Sequence, residues 1–213
     1  MFKRLLLQLS FAAAALAIAP AALAAGGSYS FDGGSKAQQG QVVAALDASS
    51  FPWGIVPGTV VVHIQPGVAS SAAPGQIWLD ADLLDSGQFS WGVVQHEYAH
   101  QVDFALLNDA TRAQLHTLLQ GAAWTGPEGH ASLDCERFAD LVSWSYWTSS
   151  QNVMKPLSTV DEGGQATPAV FRAALAAILP GLPSAAPVTQ AAATRSTASA
   201  APAAKHVKRR HTA

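Results

Sequence analysis

Two histidines and a glutamate are spaced so that they can bind a metal ion and use it in a reaction. The segment at residues 93–102, VVQHEYAHQV, carries the pattern H-E-x-x-H. Four residues make about one turn of an α-helix, so the imidazoles of His96 and His100 project from one face. Two neutral imidazoles on one face can bind one Zn²⁺. Glu97, about a quarter-turn further round, can act as a general base toward a water at the metal.

The surroundings of this pattern favour a helix. Neither proline nor glycine occurs at residues 93–107, and apolar side chains flank the motif. The two histidines are therefore interpreted as a metal-binding pair rather than as two unrelated core or surface histidines. Tyr98, two residues from His96, falls on the other side of such a helix.

A catalytic zinc site usually has a third protein ligand, and three alternatives exist for it. A metzincin would have a histidine six residues after His100 and a glycine three residues after it, but this chain has Leu106 and Asp103 there. A lone histidine downstream, His116 or His130, is the second alternative. The third is a carboxylate on a later helix.

The stretch at residues 132–144 supplies such a carboxylate. Glu136 and Asp140 stand four residues apart and so face the same way, while apolar neighbours can bury the rest of a helix. Glu136 would bind the metal, and Asp140 would accept the free N–H of a ligating histidine and fix its orientation. Cys135 is an alternative ligand, although a buried small side chain is its commoner role. As the one cysteine of the chain, it cannot form an intramolecular disulfide.

The two motifs in this order resemble those of the gluzincins, the thermolysin-like clan of zinc metallopeptidases. H-E-x-x-H is followed, after 35 residues, by E-x-x-x-D, and the resemblance covers residues 91–140. It implies that Zn²⁺ is bound by His96, His100 and Glu136. It further implies that Glu97 is the base and proton shuttle and that Asp140 orients a histidine.

The resemblance also implies an α+β, zincin-like fold. A small sheet would pack against a backing helix and the H-E-x-x-H helix, and a helical C-terminal part would follow. Residues 35–46, with Ser35 as N-cap, predict one helix, and residues 111–119 and 167–179 predict two more. Residues 59–64 and 76–79 predict strands. By resemblance, residues 77–79 are the edge strand that pairs with an extended substrate, and an interior strand is the alternative.

The group that polarises the substrate carbonyl comes from another part of the chain, because nothing here matches the long helical C-terminal half of thermolysin that supplies it there. His130, in a loop just before the glutamate helix, and Tyr146, beyond Asp140, are the candidates for oxyanion or substrate contact. A solvated loop histidine and a core aromatic are the respective alternatives.

These residues lead to the hypothesis of a zinc metallopeptidase that hydrolyses peptide bonds in a peptide or protein substrate. One alternative is a zinc-binding cell-surface protein without peptidase activity, which a fourth ligand such as Cys135 or His130 would favour. Another is a zinc amidase that acts on cell-wall peptides. Neither a nucleic acid nor a membrane-spanning segment is expected.

The ends of the chain differ from its middle. Residues 1–24 predict a signal peptide, with Lys3 and Arg4 before an apolar stretch and an Ala-Leu-Ala cleavage triplet, so we expect a secreted protein. Residues 25–183 predict one domain, which holds all 14 acidic residues but five Lys or Arg, a net charge of −9. Residues 184–213 are rich in Ala, Pro and Thr, carry a basic end and are predicted to be disordered. A solvated, flexible end is the simpler interpretation, and binding to an anionic cell-surface polymer is the alternative.

Overall fold

The chain forms four strands and six α-helices over residues 27–156 and 166–182, the part that the computed structural model describes. This confirms the predicted α+β class. The predicted signal peptide and the predicted disordered tail lie outside the described residues. The elements in chain order are β1 (Tyr29–Gly33), α1 (Lys36–Ala48), β2 (Val60–Gln65), β3 (Ser71–Ala73), β4 (Gln76–Asp80), α2 (Ala81–Leu84), α3 (Trp91–Leu106), α4 (Asp109–Leu119), α5 (Asp134–Tyr146) and α6 (Pro168–Ile178).

Polar caps begin three of the helices, and two of these caps, Ser35 and Thr167, are where the sequence predicts them. Ser35 forms a reciprocal capping box with Gln38 at the start of α1, and Asn108 does the same with Thr111 at the start of α4. Thr167 caps α6, with a proline at its first position. The predicted helices are therefore confirmed, with ends that differ by one or two residues.

The sheet has the strand order β1-β2-β4-β3. The strands β1, β2 and β4 are parallel, and β3 runs antiparallel to β4. The prediction that residues 77–79 form an edge is wrong, because β3 covers that side and Ile77 and Leu79 are buried. The Pro74-Gly75 turn, with Gly75 at φ +76°, folds β3 back onto β4. The outer edge on this side therefore belongs to β3.

The H-E-x-x-H helix α3 lies at the centre of the fold. It contacts α1, the strands β3 and β4, and most extensively α5, which in turn packs on α4 and α6. Val94, Ala99 and Val102 of α3 and Leu141 and Val142 of α5 are buried in one core. This packing fixes the two motif-bearing helices against each other. None of the described helices combines the length and apolar character that a membrane crossing requires.

Candidate metal centre

The two motif histidines meet at the buried surface between α3 and α5. His96 and His100 are 4% and 6% exposed, and their Nε2 atoms lie 3.2 Å apart. Tyr98 points the other way, where it packs against Trp53 and Tyr29, as the helical spacing predicts. The helix thus turns both imidazoles toward one point.

Glu136 of α5 brings a third atom to that point. Its Oε2 lies 3.1 Å from Nε2 of His96 and 3.3 Å from Nε2 of His100. Four ligands around zinc in a tetrahedron, at bonds of about 2.0–2.1 Å, stand about 3.3–3.4 Å from one another. The three atoms therefore form a triangle close to one face of such a tetrahedron. The residues fit a zinc ion.

Asp140 fixes the orientation of one imidazole. Its Oδ1 lies 2.8 Å from Nδ1 of His96, and one turn of α5 separates it from Glu136. With the proton assigned to Nδ1, His96 donates to this carboxylate and keeps the Nε2 lone pair for a metal. The structure thus brings together the three residues that the sequence analysis expects as ligands and Asp140, which it expects to orient a histidine.

The electrostatics of this group of side chains favour a positive charge at its centre. Burial alone would lower the pKa of His96, but hydrogen bonds to Asp140 and Glu136 outweigh it and raise that pKa to about 10. Burial would raise the pKa of Glu136, yet hydrogen bonds from His100, His130 and His96 hold it far below its usual range. The negative surroundings that favour a protonated His96 would also favour a bound cation.

Glu97 lies beside this group in a cleft of about 380 Å³. It is 6% exposed, and burial raises the pKa of its carboxyl, although the neighbouring His96 and His100 act in the opposite direction. A carboxylate whose pKa moves toward neutrality is a better general base near pH 7. Glu97 therefore lies in the same cleft as the possible ligand atoms, where the sequence analysis expects a general base.

Three segments form the walls of the cleft. Ser70, Ser71 and Ala72 line it from β3 and the residue before it, and Thr125 and Gly126 line it from the loop before α5. Phe104 stacks on His100 with the ring centres 6.0 Å apart. The cleft therefore runs between the edge strand and this loop.

His130 reaches the site from a 3₁₀ turn before α5. Its Nε2 lies 2.7 Å from Oε2 of Glu136, and its ring stacks on His96 at 5.8 Å. The hydrogen bond to Glu136 raises the pKa of His130. The side chain is 68% exposed, so it can contact both the metal-binding residues and a molecule in the cleft.

Tyr146 does not reach the site, which removes it as a candidate for substrate contact. Its ring packs edge-on against Phe51 in the core, because α5 carries it more than two turns beyond Glu136. Its hydroxyl is buried and finds no hydrogen-bond partner among the described residues. Sequence position alone does not reveal this, since spacing gives the face of a helix but not the packing at its far end.

The two other alternative ligands also lie apart from the ligand atoms. His116 donates from Nδ1 to Asp134, on the far side of Phe104. Cys135 lines the cleft, but it belongs to neither group of possible metal-ligand atoms within 4.8 Å of one another in the described chain. Burial raises the pKa of its thiol to about 12, which disfavours the thiolate that zinc would need.

Sequence reasoning missed Gln101, which holds the edge strand in place. Its amide nitrogen donates to the carbonyls of Ala73 and Gln76, and its oxygen accepts from the backbone N–H of Gly75. The helix that carries the histidines thus clamps the β3–β4 hairpin directly. The Pro74-Gly75 pair before a predicted strand was the available signal, because such a turn implies a preceding partner strand.

No protein-family model, curated protein or solved structure matches this chain. Its chemistry is therefore inferred from the residues of the site.

Proposed function

We propose that this protein is a secreted zinc metallopeptidase of the gluzincin type with a zincin-like arrangement of helices and sheet. The observation that carries the proposal is the triangle formed by Nε2 of His96, Nε2 of His100 and Oε2 of Glu136, with edges of 3.1–3.3 Å. Glu97 beside this triangle supplies a base. A structural zinc site would need no such carboxylate next to its ligands.

His96, His100 and Glu136 would hold the zinc ion, and α1, α3 and the small sheet correspond to the backing helix, active-site helix and sheet of the proposed fold. When bound, zinc polarises a carbonyl and lowers the pKa of its water. Glu97 takes a proton from the attacking water and passes it to the leaving amine. His130, which is exposed beside Glu136, would donate a hydrogen bond to the substrate oxygen.

The edge strand offers a way to orient the substrate. β3 borders the cleft, and its side away from β4 carries no strand among the described residues. An extended peptide that pairs with β3 would pass over the metal-binding residues, with its scissile carbonyl between Glu97 and His130. In this proposal β3 takes the role that the sequence had assigned to residues 77–79.

Replacement of Glu97 by Gln tests the proposal. The variant should retain one zinc per chain by native mass spectrometry and lose cleavage of an unstructured protein substrate by at least about 100-fold, because the base is gone. The matched control is Asp82→Asn, which also removes one carboxylate charge but on the exposed surface of α2. This variant should cleave normally. Undiminished cleavage by the Glu97 variant would contradict the assignment. So would wild type that holds zinc and cleaves nothing.

His130 favours one competing function, a zinc-binding protein without peptidase activity. Its Nε2 approaches the oxygen of Glu136 closely enough to take the fourth position on a metal. The variant His130→Ala distinguishes this function from that of a peptidase. Loss of a fourth ligand would weaken zinc binding, whereas loss of a substrate donor would lower kcat and leave zinc binding unchanged.

Export and substrate class belong to the same proposal. The N-terminal sequence of protein recovered from the medium of a secreting host should begin at Ala25. A zinc amidase that acts on cell-wall peptides would use the same residues, and digestion of purified cell-wall material beside a protein substrate distinguishes the two. Binding of the basic end to an anionic cell-surface polymer is tested by comparing full-length protein with a chain that stops at residue 183.

A further inference from the structure

A second cavity, of about 570 Å³, adjoins the metal cleft. Asp103, Phe104 and Thr125 line both spaces, so they form the ridge between them. Phe104 on this ridge also stacks on His100, one of the proposed ligands. A group in the second cavity is thus about one side chain away from the reacting centre, and a substrate that fills the cleft can reach it.

The walls of this cavity can accept an aliphatic stem. Ala113, Ala122 and Ala123 leave space on two sides, and the rings of Phe104 and Trp124 provide apolar surface. Long cationic side chains bury their methylene groups along such surfaces while their charged ends reach polar groups. Shape alone therefore admits a lysine, an arginine or an uncharged side chain of similar length.

The charged groups in the lining decide which of these side chains the cavity favours. Three carboxylates line the cavity beside one guanidinium and one histidine. Arg112 is already committed, because it donates from Nε to the buried carboxylate of Asp103 at 2.9 Å and lies over the Trp124 ring. Trp124 donates to the same carboxylate. This network neutralises Asp103, so the charge of the cavity depends on its two other carboxylates.

Those two carboxylates are Asp134 and Asp109. Asp134 is fully buried, where it pairs with His116 and accepts from the backbone N–H of Gly121. Asp109 is fully exposed at the rim, and its Oδ1 is 3.9 Å from the nearest Arg112 nitrogen, too far for a hydrogen bond. Asp109 therefore places a negative charge at the rim of the cavity, next to an apolar wall.

We propose that this second cavity is a specificity pocket that binds the lysine or arginine side chain of a peptide substrate next to the scissile bond. The inference rests on the proposed peptidase function. The apolar walls hold the methylene stem, and Asp109 at the rim meets the cationic end. A residue with a negatively charged side chain is rejected at the same position.

Peptide binding to the Glu97→Gln variant, loaded with zinc, tests the pocket without requiring cleavage. The probes are fluorescent, blocked alanine hexapeptides in which one position at a time is lysine, its uncharged isostere norleucine, or glutamate. Fluorescence anisotropy gives Kd for each. At one position we expect lysine to bind about fivefold more tightly than norleucine, and glutamate more weakly than both. The other positions should show smaller differences.

Two further variants assign the preference to the cavity. Asp109→Asn in the same background should remove most of the lysine advantage at that position, and Asp82→Asn, with the same change of charge elsewhere, should preserve it. Equal affinity for lysine and norleucine at every position overturns the inference. So do a preference for glutamate, an equal lysine advantage at all positions, and a failure of all the hexapeptides to bind. Wild-type cleavage of the same peptides reports separately on the peptidase function.

Discussion

The two halves of the cleft are held in place by different means. The proposed metal ligands project from α3 and α5, two largely buried helices that contact each other more extensively than any other pair of described elements. The walls of the cleft consist of a three-residue edge strand and the loop at residues 121–132. Each wall depends on single polar side chains that reach its backbone. Gln101 binds the hairpin, and Arg137 joins Ala131 to the carbonyls at the end of α4.

This difference separates chemistry from recognition. Side chains on packed helices keep their geometry when a surface segment moves, so we expect the ligand triangle to depend mainly on the packing of α3 against α5. The walls contribute few apolar residues to the core and depend on hydrogen bonds that one substitution can remove. Substitution of the proposed ligands and of Asp140 should therefore change zinc binding. Substitution of the wall anchors should change stability and substrate binding.

The largest effect on zinc is expected for Glu136→Ala. This change removes one of three ligand atoms and leaves two imidazoles, so zinc affinity should fall by more than about 100-fold, beyond what loss of a supporting residue causes. Competition with a chelator of known affinity measures it. Glu128→Ala, in the exposed loop before His130, is the control and should bind zinc like wild type. Equal affinities for both variants would remove Glu136 from the ligand set.

Asp140→Asn should have a smaller effect on zinc. The amide can still contact Nδ1 of His96 but no longer places a negative charge behind the imidazole, so a loss of about 10–100-fold is expected. The same chelator competition measures it. Thermal unfolding of the metal-free variant is the necessary control. A variant that folds normally and binds zinc as tightly as wild type would show that Asp140 has no part in the metal site.

Gln101→Met tests a wall anchor. The side chain keeps its length but loses its contacts to Gly75, Ala73 and Gln76, so the free energy of unfolding should fall by about 1–3 kcal/mol. Zinc affinity should not change, and KM should rise because the edge strand is less well fixed. Urea denaturation and steady-state kinetics measure these effects. Gln114→Met, on the exposed side of α4, is the matched control. Loss of zinc with intact stability would contradict the separation.

The ligand half of the cleft was accessible from sequence because helical periodicity relates spacing to direction. Four-residue steps in α3 and α5 place His96 with His100, and Glu136 with Asp140, on common faces. The distance between the two helices was not available from that rule. It follows from packing of residues such as Val102 and Leu141, whose order in the chain says little about which surfaces meet.

The walls were much less predictable. The strand β3 has the sequence Ser-Ala-Ala, which lacks the branched and aromatic residues that identify strands, and β1 is short and largely exposed. The second cavity depends on Asp103, Arg112 and Trp124, which are separated in sequence and follow no helical repeat. Long-range contacts between single polar side chains leave no periodic signal.

The smallest effect is expected for Tyr146→Phe, at the end of α5 away from the ligands. Zinc binding and cleavage should equal those of wild type. The lost hydroxyl is buried without a partner among the described residues, so stability at neutral pH should stay the same or increase.

Burial raises the pKa of Tyr146 to about 12. The folded state therefore holds the phenol proton more tightly, and this contribution, complete below pH 10, is lost as the pH rises through 12. Urea denaturation between pH 9 and 12 should show a shallower loss of stability for the variant, since phenylalanine has no proton to lose. An equally steep loss in both proteins would assign the alkaline instability to other groups, such as Tyr98, whose pKa burial also raises.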